Sequence, residues 1–579
     1  MAVENLITEH IKIWTSAVKT KSTSGRGSSK KLELYGIKKL RELILELAVR
    51  GKLMPQDPND EPATVLLERI AQEKAQLLKE KKIKSAKVLP KLGNNEIPFD
   101  IPESWNWIRL GEIGYTQTGG TPKKANSEYF GSDVPFIKPA DITELEVVYD
   151  NEGLSYEGAN ALGRLAPSGS VLMVCIGTIG KCQIIEQDCA FNQQINSVTP
   201  FLPVGSFIFN ALRSSYFRRC AWELSSSTTI AILNKGKWES IPIPLPPIAE
   251  QHRIVAKVDE LMALCDQLEQ QTESSIEAHQ VLVTTLLDTL TNSADADELM
   301  QNWARISEHF DTLFTTEESI DQLKQTILQL AVMGKLVPQD PSDEPAAELL
   351  KRIAEEKAQL VKEKKIKKQK ALPPIAEGEK PFELPNGWEW CSLSCLGYFF
   401  GGKTPSKSNS SFWGGDVLWV TPKDMKRTHI DNSEDKITQA GVDSGLTLVE
   451  VNSLMCVTRS GILRRHFPVA LAKKQCTVNQ DLKVLSFYDN TVADYVLLMM
   501  QGFEQHILDK LTKTGTTVES LKFDEFSVYP FMLPPLKEQR RIVSKVEDLM
   551  IMCEELKARL KHSQIIQQQL TDSIAGQAV

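Results

Sequence analysis

Residues 40–90 read LRELILELAVRGKLMPQDPNDEPATVLLERIAQEKAQLLKEKKIKSAKVLP, and residues 323–373 read LKQTILQLAVMGKLVPQDPSDEPAAELLKRIAEEKAQLVKEKKIKKQKALP. The two stretches lie 283 positions apart without a gap, and 36 of their 51 positions are identical. A self-similarity of this length indicates a duplicated architecture. The repeat therefore predicts that the 579 residues fold as two related halves.

The likeness extends beyond the repeat, but not through the whole of each half. PFDIPESWNWIRLGEIGYTQTGGTPKK begins at Pro98 and PFELPNGWEWCSLSCLGYFFGGKTPSK at Pro381, while Asp141 later matches Asp424. Residues 143–226 and 426–514 align poorly. Similarity returns at an offset of 288, where LPPIAEQHRIVAKVDELMALCDQLEQ matches LPPLKEQRRIVSKVEDLMIMCEELKA. Each half thus contains a helical segment, a module with its own interior, and a second helical segment.

The segments after each Leu-Pro-Pro have the apolar spacing of a coiled coil. Apolar residues recur there at intervals of four and three, which is the a/d pattern of a helix seam. A helix over residues 254–290 would be about 55 Å long at ~1.5 Å per residue. The predicted seam residues are Ile254, Val258, Leu261, Cys265, Leu268, Ile542, Val546, Leu549, Cys553 and Leu556.

The repeat itself contains a second, basic helix, predicted for ERIAQEKAQLLKEKKIK at residues 68–84. A charge run of this kind is typical of a solvated helix face, and it also suits a contact with a DNA backbone or with a partner protein. The sequence leaves these alternatives open.

Between the helices, SVLMVCIG (170–177) and SLMCVTRSG (453–461) are typical of short buried strands. The sequence therefore predicts an α+β fold, in which two mixed α/β modules are separated by long antiparallel coiled-coil helices, with pseudo-twofold symmetry from the tandem duplication. The predicted boundaries are 1–39 for an N-terminal extension with a flexible basic linker at 19–31, 40–97 for a helical region, 98–247 for the first module, 248–380 for a central helical region, 381–535 for the second module and 536–579 for a distal helical region.

Composition and motifs exclude several classes of protein. No apolar run approaches the ~20 residues that span a bilayer, and the N-terminus lacks a signal-peptide pattern, so we expect a cytoplasmic protein. The ten cysteines form no CxxC pair and are predicted to be free thiols rather than metal ligands. We find no GxxxxGK[ST], GxGxxG, HExxH or GxSxG motif and no Asn/Asp-Pro-Pro-aromatic tetrapeptide, so we expect no catalytic site, metal or cofactor in this chain.

Two variable modules, each opening with W-x-W…G…TP…D and closing with LPPxxEQxxIVxKV, resemble the specificity subunit of Type I restriction-modification enzymes. The AVRGKL and AVMGKL elements at Ala48 and Ala331 resemble one branch of that family, and the likeness extends from about Leu40 to the end. The resemblance implies that each module is a target-recognition domain for one half of a split double-stranded DNA target. It also implies that the helices dock two methyltransferase subunits, which use S-adenosylmethionine on adenine N6. Restriction subunits, with ATP and magnesium, would join that core in the bacterial cytoplasm.

The duplicated frame and the divergent interiors agree with this resemblance. Modules that are alike in frame but different inside should contact half-sites of different sequence, so we expect an asymmetric, interrupted target. The helices would then act as a ruler, since one turn of DNA measures about 34 Å.

The modules themselves are not basic. Residues 98–247 carry 11 Lys and Arg against 15 Asp and Glu, and residues 381–535 carry 15 against 17. Base reading must therefore come from local groups, with Asn and Gln suited to adenine and Arg to guanine. The candidate DNA-binding residues are Lys123, Lys124, Lys138, Lys181, Asn192, Gln193, Lys403, Lys407, Lys423, Arg459, Arg464, Arg465, Asn479 and Gln480.

Each of these candidates has a structural alternative. A lysine beside Thr-Pro can be solvated surface, and an Asn-Gln pair can close a turn. Trp105, Trp107, Trp388 and Trp390 are predicted to be core residues rather than platforms for stacked bases.

Two other function classes remain open in the sequence. The net charge of −8 argues against a purely electrostatic nucleic-acid binder, and it motivates a scaffold that presents two equivalent partner-binding surfaces without contacting DNA. An enzyme fused to its own DNA reader would require the catalytic motifs that we do not find.

Overall fold

A computed structural model describes residues 3–22, 30–85, 88–123, 125–226, 230–294, 296–369, 374–380, 382–514 and 518–579. The chain divides into two compact units, which are residues 1–276 with 562–579, and residues 277–561. The dividing points lie within the two longest helices of the described part of the chain. In the described part of the chain, no helix is long and apolar enough to cross a membrane.

The first unit begins with short elements that the sequence did not predict. They are α1 (Val3–Glu9), α2 (Ile11–Ser16), β1 (Lys19–Ser22) and β2 (Lys30–Glu33). Trp14 is fully buried in the helical core of the unit, and β1 pairs with β2 in antiparallel register. The prediction of a flexible linker at 19–31 is therefore wrong for the two stretches that form strands, and residues 23–29 lie outside the described part.

The repeated segment forms two helices in each unit. In the first unit these are α3 (Tyr35–Val49), which begins before the predicted Leu40, and α4 (Ala63–Lys79). Gly51 ends α3 in the left-handed region at φ +67°, and a Cβ there would lie 2.5 Å from the ring of Pro102. Gly334 repeats this at φ +70°, with Pro385 at 2.6 Å. The glycine of AVRGKL and AVMGKL is thus required by backbone conformation and by the module packed against it.

The first module is mixed α/β, as predicted. A four-stranded sheet has the order β6-β5-β10-β7, a second has the order β4-β11-β8-β9, and β12 pairs with β3. The predicted strand at 170–177 is present as β8. The elements are β3 (Asn106–Arg109), α5 (Leu110–Ile113), β4 (Gly114–Thr118), β5 (Phe130–Ile137), β6 (Gly153–Leu154), α6 (Tyr156–Leu162), β7 (Leu165–Ala166), β8 (Val171–Val174), β9 (Cys182–Ile184), β10 (Cys189–Phe191), β11 (Ile195–Pro200), α7 (Gly205–Arg213), α8 (Ser215–Leu224), α9 (Lys235–Glu239), β12 (Pro242–Leu245) and α10 (Ile248–Thr291).

The second unit repeats this plan. Its module has a five-stranded sheet of order β14-β21-β18-β19-β16, a three-stranded sheet of order β17-β15-β20, and the ribbons β13-β24 and β22-β23. The predicted strand at 453–461 is present as β18. The elements are α11 (Ala296–Glu308), α12 (Phe310–Leu313), α13 (Glu317–Val332), α14 (Ala346–Lys362), β13 (Glu389–Cys391), α15 (Leu393–Leu396), β14 (Gly397–Gly401), β15 (Trp413–Val420), β16 (His429–Ile430), β17 (Asp435–Ile437), α16 (Gln439–Asp443), β18 (Leu454–Val457), β19 (Val469–Ala472), β20 (Cys476–Val478), β21 (Leu482–Phe487), α17 (Ala493–Gly502), α18 (Glu504–Lys510), β22 (Thr512–Lys513), β23 (Ser520–Leu521), α19 (Phe523–Val528), β24 (Phe531–Leu533) and α20 (Leu536–Ala578).

The seam residues of α10 are buried in the first unit's helical core, where α3 provides much of the packing. Ile254, Val258, Leu261, Cys265 and Leu268 share one hydrophobic cluster with α3 and with the last turns of α20. Arg41 of α3 pairs with Asp266 and Glu269, and Tyr35 donates a hydrogen bond to Asp572 at 2.7 Å. The seam is thus buried, as predicted, and it packs against α3 as well as against the last turns of α20.

The second unit packs the corresponding seam in the same way. Ile542, Val546 and Cys553 are buried, Leu549 and Leu556 are partly buried, and all five lie in the cluster that contains α13. Lys324 of α13 pairs with Glu554, and Asp321 pairs with Lys557. The ion pair between residues 321 and 557 has the charges reversed relative to Lys38 and Glu269 at the matching positions of the first unit. The two helix groups therefore bury matching apolar positions but differ in the charges around them.

Candidate nucleic-acid interface

The Thr-Pro loop of the first module lies on the residues that follow β10. Gly119 donates its backbone N–H to Ile195 O at 3.0 Å, and Gly120 donates to Phe191 O at 2.9 Å. A Cβ at Gly119 would lie 2.1 Å from Asn192 O, so only glycine permits this approach. The Thr121 hydroxyl then donates a hydrogen bond to Gln193 Oε1.

The second module builds the same loop with equivalent backbone contacts. Lys403 donates its backbone N–H to Val478 O at 3.0 Å, and a Cβ at Gly402 would lie 2.0 Å from that oxygen. The Thr404 hydroxyl donates to Gln480 Oε1 at 2.5 Å. We call these two arrangements, Thr121 with Gln193 and Thr404 with Gln480, the Thr–Gln loops. They bring together two sequence elements that are about 75 residues apart in each module.

Gln193 and Gln480 present a free donor to solvent. Both side chains are exposed, and their Oε1 atoms are held by the threonines. Within the described ranges, neither Nε2 donates a hydrogen bond to the protein. A fixed amide with a free N–H edge is suited to an acceptor on a base.

Asn192 and Asn479 serve the turn instead. Asn192 Oδ1 accepts the N–H of Gln194 at 2.9 Å, and Asn479 Oδ1 accepts that of Asp481 at 3.1 Å. Their Nδ2 groups donate to the side chains of the same two residues. Each asparagine is only 7% exposed. The structural alternative, an Asx turn that orients the neighbouring glutamine, describes both residues.

The basic candidates fall into two groups. Lys123, Lys403 and Lys407 are exposed beside the Thr–Gln loops, and Lys423 and Arg465 are exposed elsewhere. Lys124 lies outside the described residues. Arg459 is exposed, and it follows Thr458, which donates its backbone N–H to Asp481 O at 2.8 Å beside Gln480.

The remaining basic candidates are engaged within the protein. Lys138 pairs with Glu152, Lys181 Nζ donates to Pro139 O at 3.1 Å, and Arg464 Nε pairs with Glu519. Glu519 is 5% exposed, and Arg464 holds its carboxyl pKa below the ordinary value. Internal contacts thus account for the charged ends of these three residues.

The aspartates of the TP…D element close loops. Asp141 Oδ2 accepts the backbone N–H of Lys138 at 2.7 Å, and Asp424 Oδ2 accepts that of Thr421 at 2.8 Å. Their other oxygens accept from Asn151 and from the backbone of Glu434. The element therefore fixes the backbone after β5 and β15 and leaves no carboxylate free for chemistry.

Sequence reasoning missed the groups that support the loops. Arg164 donates from Nη1 to Thr118 O at 3.0 Å and to Gly119 O at 2.8 Å. In the second module Trp419 Nε1 donates to Lys403 O at 3.2 Å. Arg164 lies in a stretch that aligns poorly between the halves, and Trp419 matches Phe136, so the repeat identifies neither residue as a support of the loop.

The LPP…EQ motif joins the module to the helices. Trp105 Nε1 donates to Glu250 Oε2 at 2.8 Å, and Trp388 Nε1 donates to Glu538 Oε2 at 3.1 Å. Trp105 is 4% exposed, which fits the predicted core role. The following glutamines bind the preceding turn, as Gln251 Nε2 does with Pro246 O at 2.8 Å.

The next basic residue of the motif ties the long helix to the repeat. Arg253 binds both oxygens of Asp60, at 3.1 and 2.5 Å, and Arg541 binds Asp343 at 2.6 Å. The bidentate pair of Arg253 with Asp60 fixes geometry as well as charge. The motif that carries the family resemblance is thus a structural joint rather than a base-reading element.

We expect substitution Glu250→Gln to make stability less dependent on pH. Burial raises the carboxyl pKa of Glu250 above its ordinary value, against the opposing effects of Trp105 and Arg253. The folded state therefore holds the proton more tightly than the unfolded chain, and this stabilisation is lost as pH rises through the folded pKa. The neutral glutamine has no such loss. The unfolding free energy of the variant should therefore increase relative to that of the wild type as the pH rises from about 4 to neutrality. Denaturant unfolding at several pH values measures this difference.

Arg69→Gln provides the control for that experiment, because Arg69 is exposed and its partner Glu61 is also exposed. Its stability difference from the wild type should stay nearly constant with pH. If the stability difference between Glu250→Gln and the wild type were also constant with pH, the raised carboxyl pKa of Glu250 would be contradicted.

Among the described residues, no group of three or more His, Cys, Asp or Glu side chains could hold a metal ion. The ten cysteines are free, and burial raises the thiol pKa of Cys456 and Cys476 to about 12. Such thiols behave as small apolar side chains.

Comparison with known proteins identifies relatives along the whole chain. The family model of the Type I restriction modification DNA specificity domain matches residues 102–278 and 385–564. The EcoAI specificity subunit of Escherichia coli is 41% identical over 609 residues, and the EcoEI specificity subunit of the same species is 42% identical over 613 residues. Both alignments cover 100% of this chain and 100% of the relative.

Solved structures give more distant likenesses. The HsdS subunit from Thermoanaerobacter tengcongensis is 17% identical, with a TM-score of 0.40, covering 84% of this chain and 98% of the other. A chain from a study of complex assembly and conformational transition of the type I R-M system is 18% identical, with a TM-score of 0.49, covering 83% and 99%.

Proposed function

Because the chain belongs to the family of Type I restriction enzyme specificity subunits, we propose that it addresses a modification and restriction complex to one DNA sequence. Each module binds one half of an asymmetric, interrupted target. The chain itself supplies no catalysis. Two methyltransferase subunits with S-adenosylmethionine, and restriction subunits with ATP and magnesium, act on the DNA that it selects in the bacterial cytoplasm.

The observation that carries this proposal is the pair of Thr–Gln loops. Each lies in a module whose interior differs from that of the other, yet both present a glutamine amide that is fixed by a threonine hydroxyl. Exposed lysines flank both loops and suit phosphate contacts, which position a protein on DNA without specifying sequence. Equivalent loops on different interiors favour two half-sites that are alike in placement and different in sequence.

The equivalent helix groups support the recruitment of two copies of one partner. In both units a seam of a long helix packs on a short helix of the repeat, with an arginine tie at Asp60 and at Asp343. Surfaces built alike recruit like subunits.

Single-molecule sequencing of host DNA tests the proposal. We expect adenine methylation in a gapped, asymmetric motif that disappears when the gene for this chain is deleted. Retention of every methylated motif in the deletion strain would contradict the proposal.

Footprinting of the assembled complex on DNA distinguishes this proposal from the alternative of a scaffold that does not contact DNA. Protection of two short patches about one turn apart, roughly 34 Å, supports DNA reading. A complex that assembles but protects no DNA would favour a scaffold.

A further inference from the structure

The two basic helices of the repeat end in matching clusters of lysine. Residues 79–84 read KEKKIK, with four lysines and one glutamate, and residues 362–368 read KEKKIKK, with five lysines and one glutamate. All of these lysines are exposed. We call the two segments the lysine ends of α4 and α14. Their positive charge contrasts with the net negative charge of both modules.

Each lysine end contains a lysine in a conformation that glycine normally occupies. Lys81 has φ 58° and Lys364 has φ 57°, and they occupy equivalent positions of the repeat. Each follows the last helical turn, where Lys82 donates its N–H to Leu77 O and Lys365 donates to Leu360 O, both at 3.0 Å. A left-handed backbone is less stable for an L-residue than for glycine. Both copies carry the less stable residue, which indicates that its charge has a use.

The lysine ends are held at a fixed place on their modules. Leu66 and Ile70 of α4 are buried in the first module's core, and Lys74 lies over the ring of Phe201 at 5.9 Å. In the second unit, Lys357 lies over Tyr488 at 5.4 Å. The apolar faces anchor the helices and leave the charged ends to face solvent.

In the first unit the lysine end lines an open groove of about 540 Å³. Tyr115 and Gln117 of β4 and Leu165 of β7 also line this groove. The strand β4 leads directly into the Thr–Gln loop, and Arg164, next to Leu165, holds that loop by two hydrogen bonds. The lysine end and the candidate base-reading loop therefore adjoin the same strand.

We propose that the lysine ends bind the sugar-phosphate backbone of DNA beside each half-site, as contacts that do not depend on sequence. This rests on the proposed function, because it assumes that the modules read DNA. The modules are acidic overall and present few exposed lysines beside the loops, so clustered lysine on another element would add the charge that neutralises phosphates. Within the described ranges, Lys79, Lys81 and Lys84 have no ion-pair partner, whereas Lys82 pairs with Glu80 at 2.8 Å.

The triple substitution Lys79→Gln, Lys81→Gln and Lys84→Gln tests the proposal in the full chain, purified with its methyltransferase subunits. Binding to the target duplex and to an unrelated duplex is measured at several salt concentrations. We expect both affinities to fall together, with the preference for the target unchanged. The slope of log K against log salt should decrease by about 0.9 for each phosphate that the variant no longer neutralises.

Arg69→Gln is the matched control, because Arg69 lies on the same helix with an exposed partner and away from the lysine end. It should leave both affinities and the salt slope unchanged. An unchanged salt slope in the triple variant would overturn the proposal. Loss of methyltransferase subunits from the purified complex would also overturn it, because the lysine ends would then serve a protein contact. A wild-type complex without preference for any target would instead refute the proposed function.

The substitution Lys81→Gly separates charge from folding. Glycine relieves the left-handed strain, so the midpoint of thermal unfolding should rise, while the loss of charge should lower the salt slope. A structural role alone would move the midpoint and leave the salt slope unchanged, and that result would overturn the proposal.

Discussion

A chain in which the matching module of another specificity subunit replaces residues 98–245 should direct methylation to a target that is altered in one half only. The replaced stretch contains β3 and β12, which pair in register from Asn106 with Leu245 to Arg109 with Pro242. The first and last strands of the module thus pair with each other, so the module can be exchanged as one folded unit. Single-molecule sequencing of DNA from cells that carry the chimera gives the altered motif directly.

Two of the contacts that cross the borders of the exchange constrain the choice of donor. Trp105 binds Glu250 of α10, and Arg109, 3% exposed, binds Glu96 at 2.9 Å. A donor with tryptophan and arginine at these positions keeps Glu250 and Glu96 paired, which matters most for Glu250 because it is 1% exposed.

The reciprocal exchange of residues 381–533 is the control, and it should alter the other half alone. A chimera that changes both halves, or that folds and changes neither, would contradict the assignment of one half-site to each module.

Much of the frame could be predicted from the sequence because it is repeated. The long helix predicted over 254–290 is observed as α10 (Ile248–Thr291), which begins immediately after Pro247. Proline cannot continue the element that precedes it, so Leu-Pro-Pro marks the helix start directly. The mixed α/β character of the modules is also confirmed, because short apolar runs ending in glycine formed β8 and β18.

The partners of the helices could not be predicted. Periodicity identifies the buried face of a helix but not what covers it. The seam beginning at Ile254 is therefore predicted as a coiled-coil face, but the sequence does not identify α3, which shares its cluster. The prediction for the N-terminal extension was incomplete for another reason. Its basic, polar composition gave no sign that Trp14 is buried or that β1 pairs with β2.

For the candidate interface, too, the sequence identified the repeated residues but not their contacts. Thr-Pro and Asn-Gln could be found as islands of similarity in both halves, and the structure brings them together. Only the fold assigns Asn192 to the turn and Gln193 to the surface, because adjacent residues of like chemistry are indistinguishable in sequence.

Gln193→Ala should weaken binding to the first half-site by about 1–3 kcal/mol, roughly five- to 150-fold, if its amide contacts a base. The side chain is exposed, so its removal should change the unfolding free energy by no more than about 0.5 kcal/mol. Thr121→Val should act in the same direction and less strongly, because it frees the glutamine from its fixed orientation without removing the amide. The complex is titrated with duplexes in which one half-site at a time is mutated.

Gln480→Ala is the matched variant, and its effect should be confined to the second half-site. Asn192→Ala should behave differently, because it removes a buried turn and should cost about 1–3 kcal/mol of unfolding free energy. If Gln193→Ala binds both half-sites as the wild type does, the Thr–Gln loop is a structural clasp and base reading lies elsewhere in the module. If instead Gln193→Ala and Gln480→Ala each weaken one half-site at unchanged stability, the two divergent interiors orient the same amide toward different bases. Specificity would then depend on the elements that place each loop, such as Arg164 in one module and Trp419 in the other.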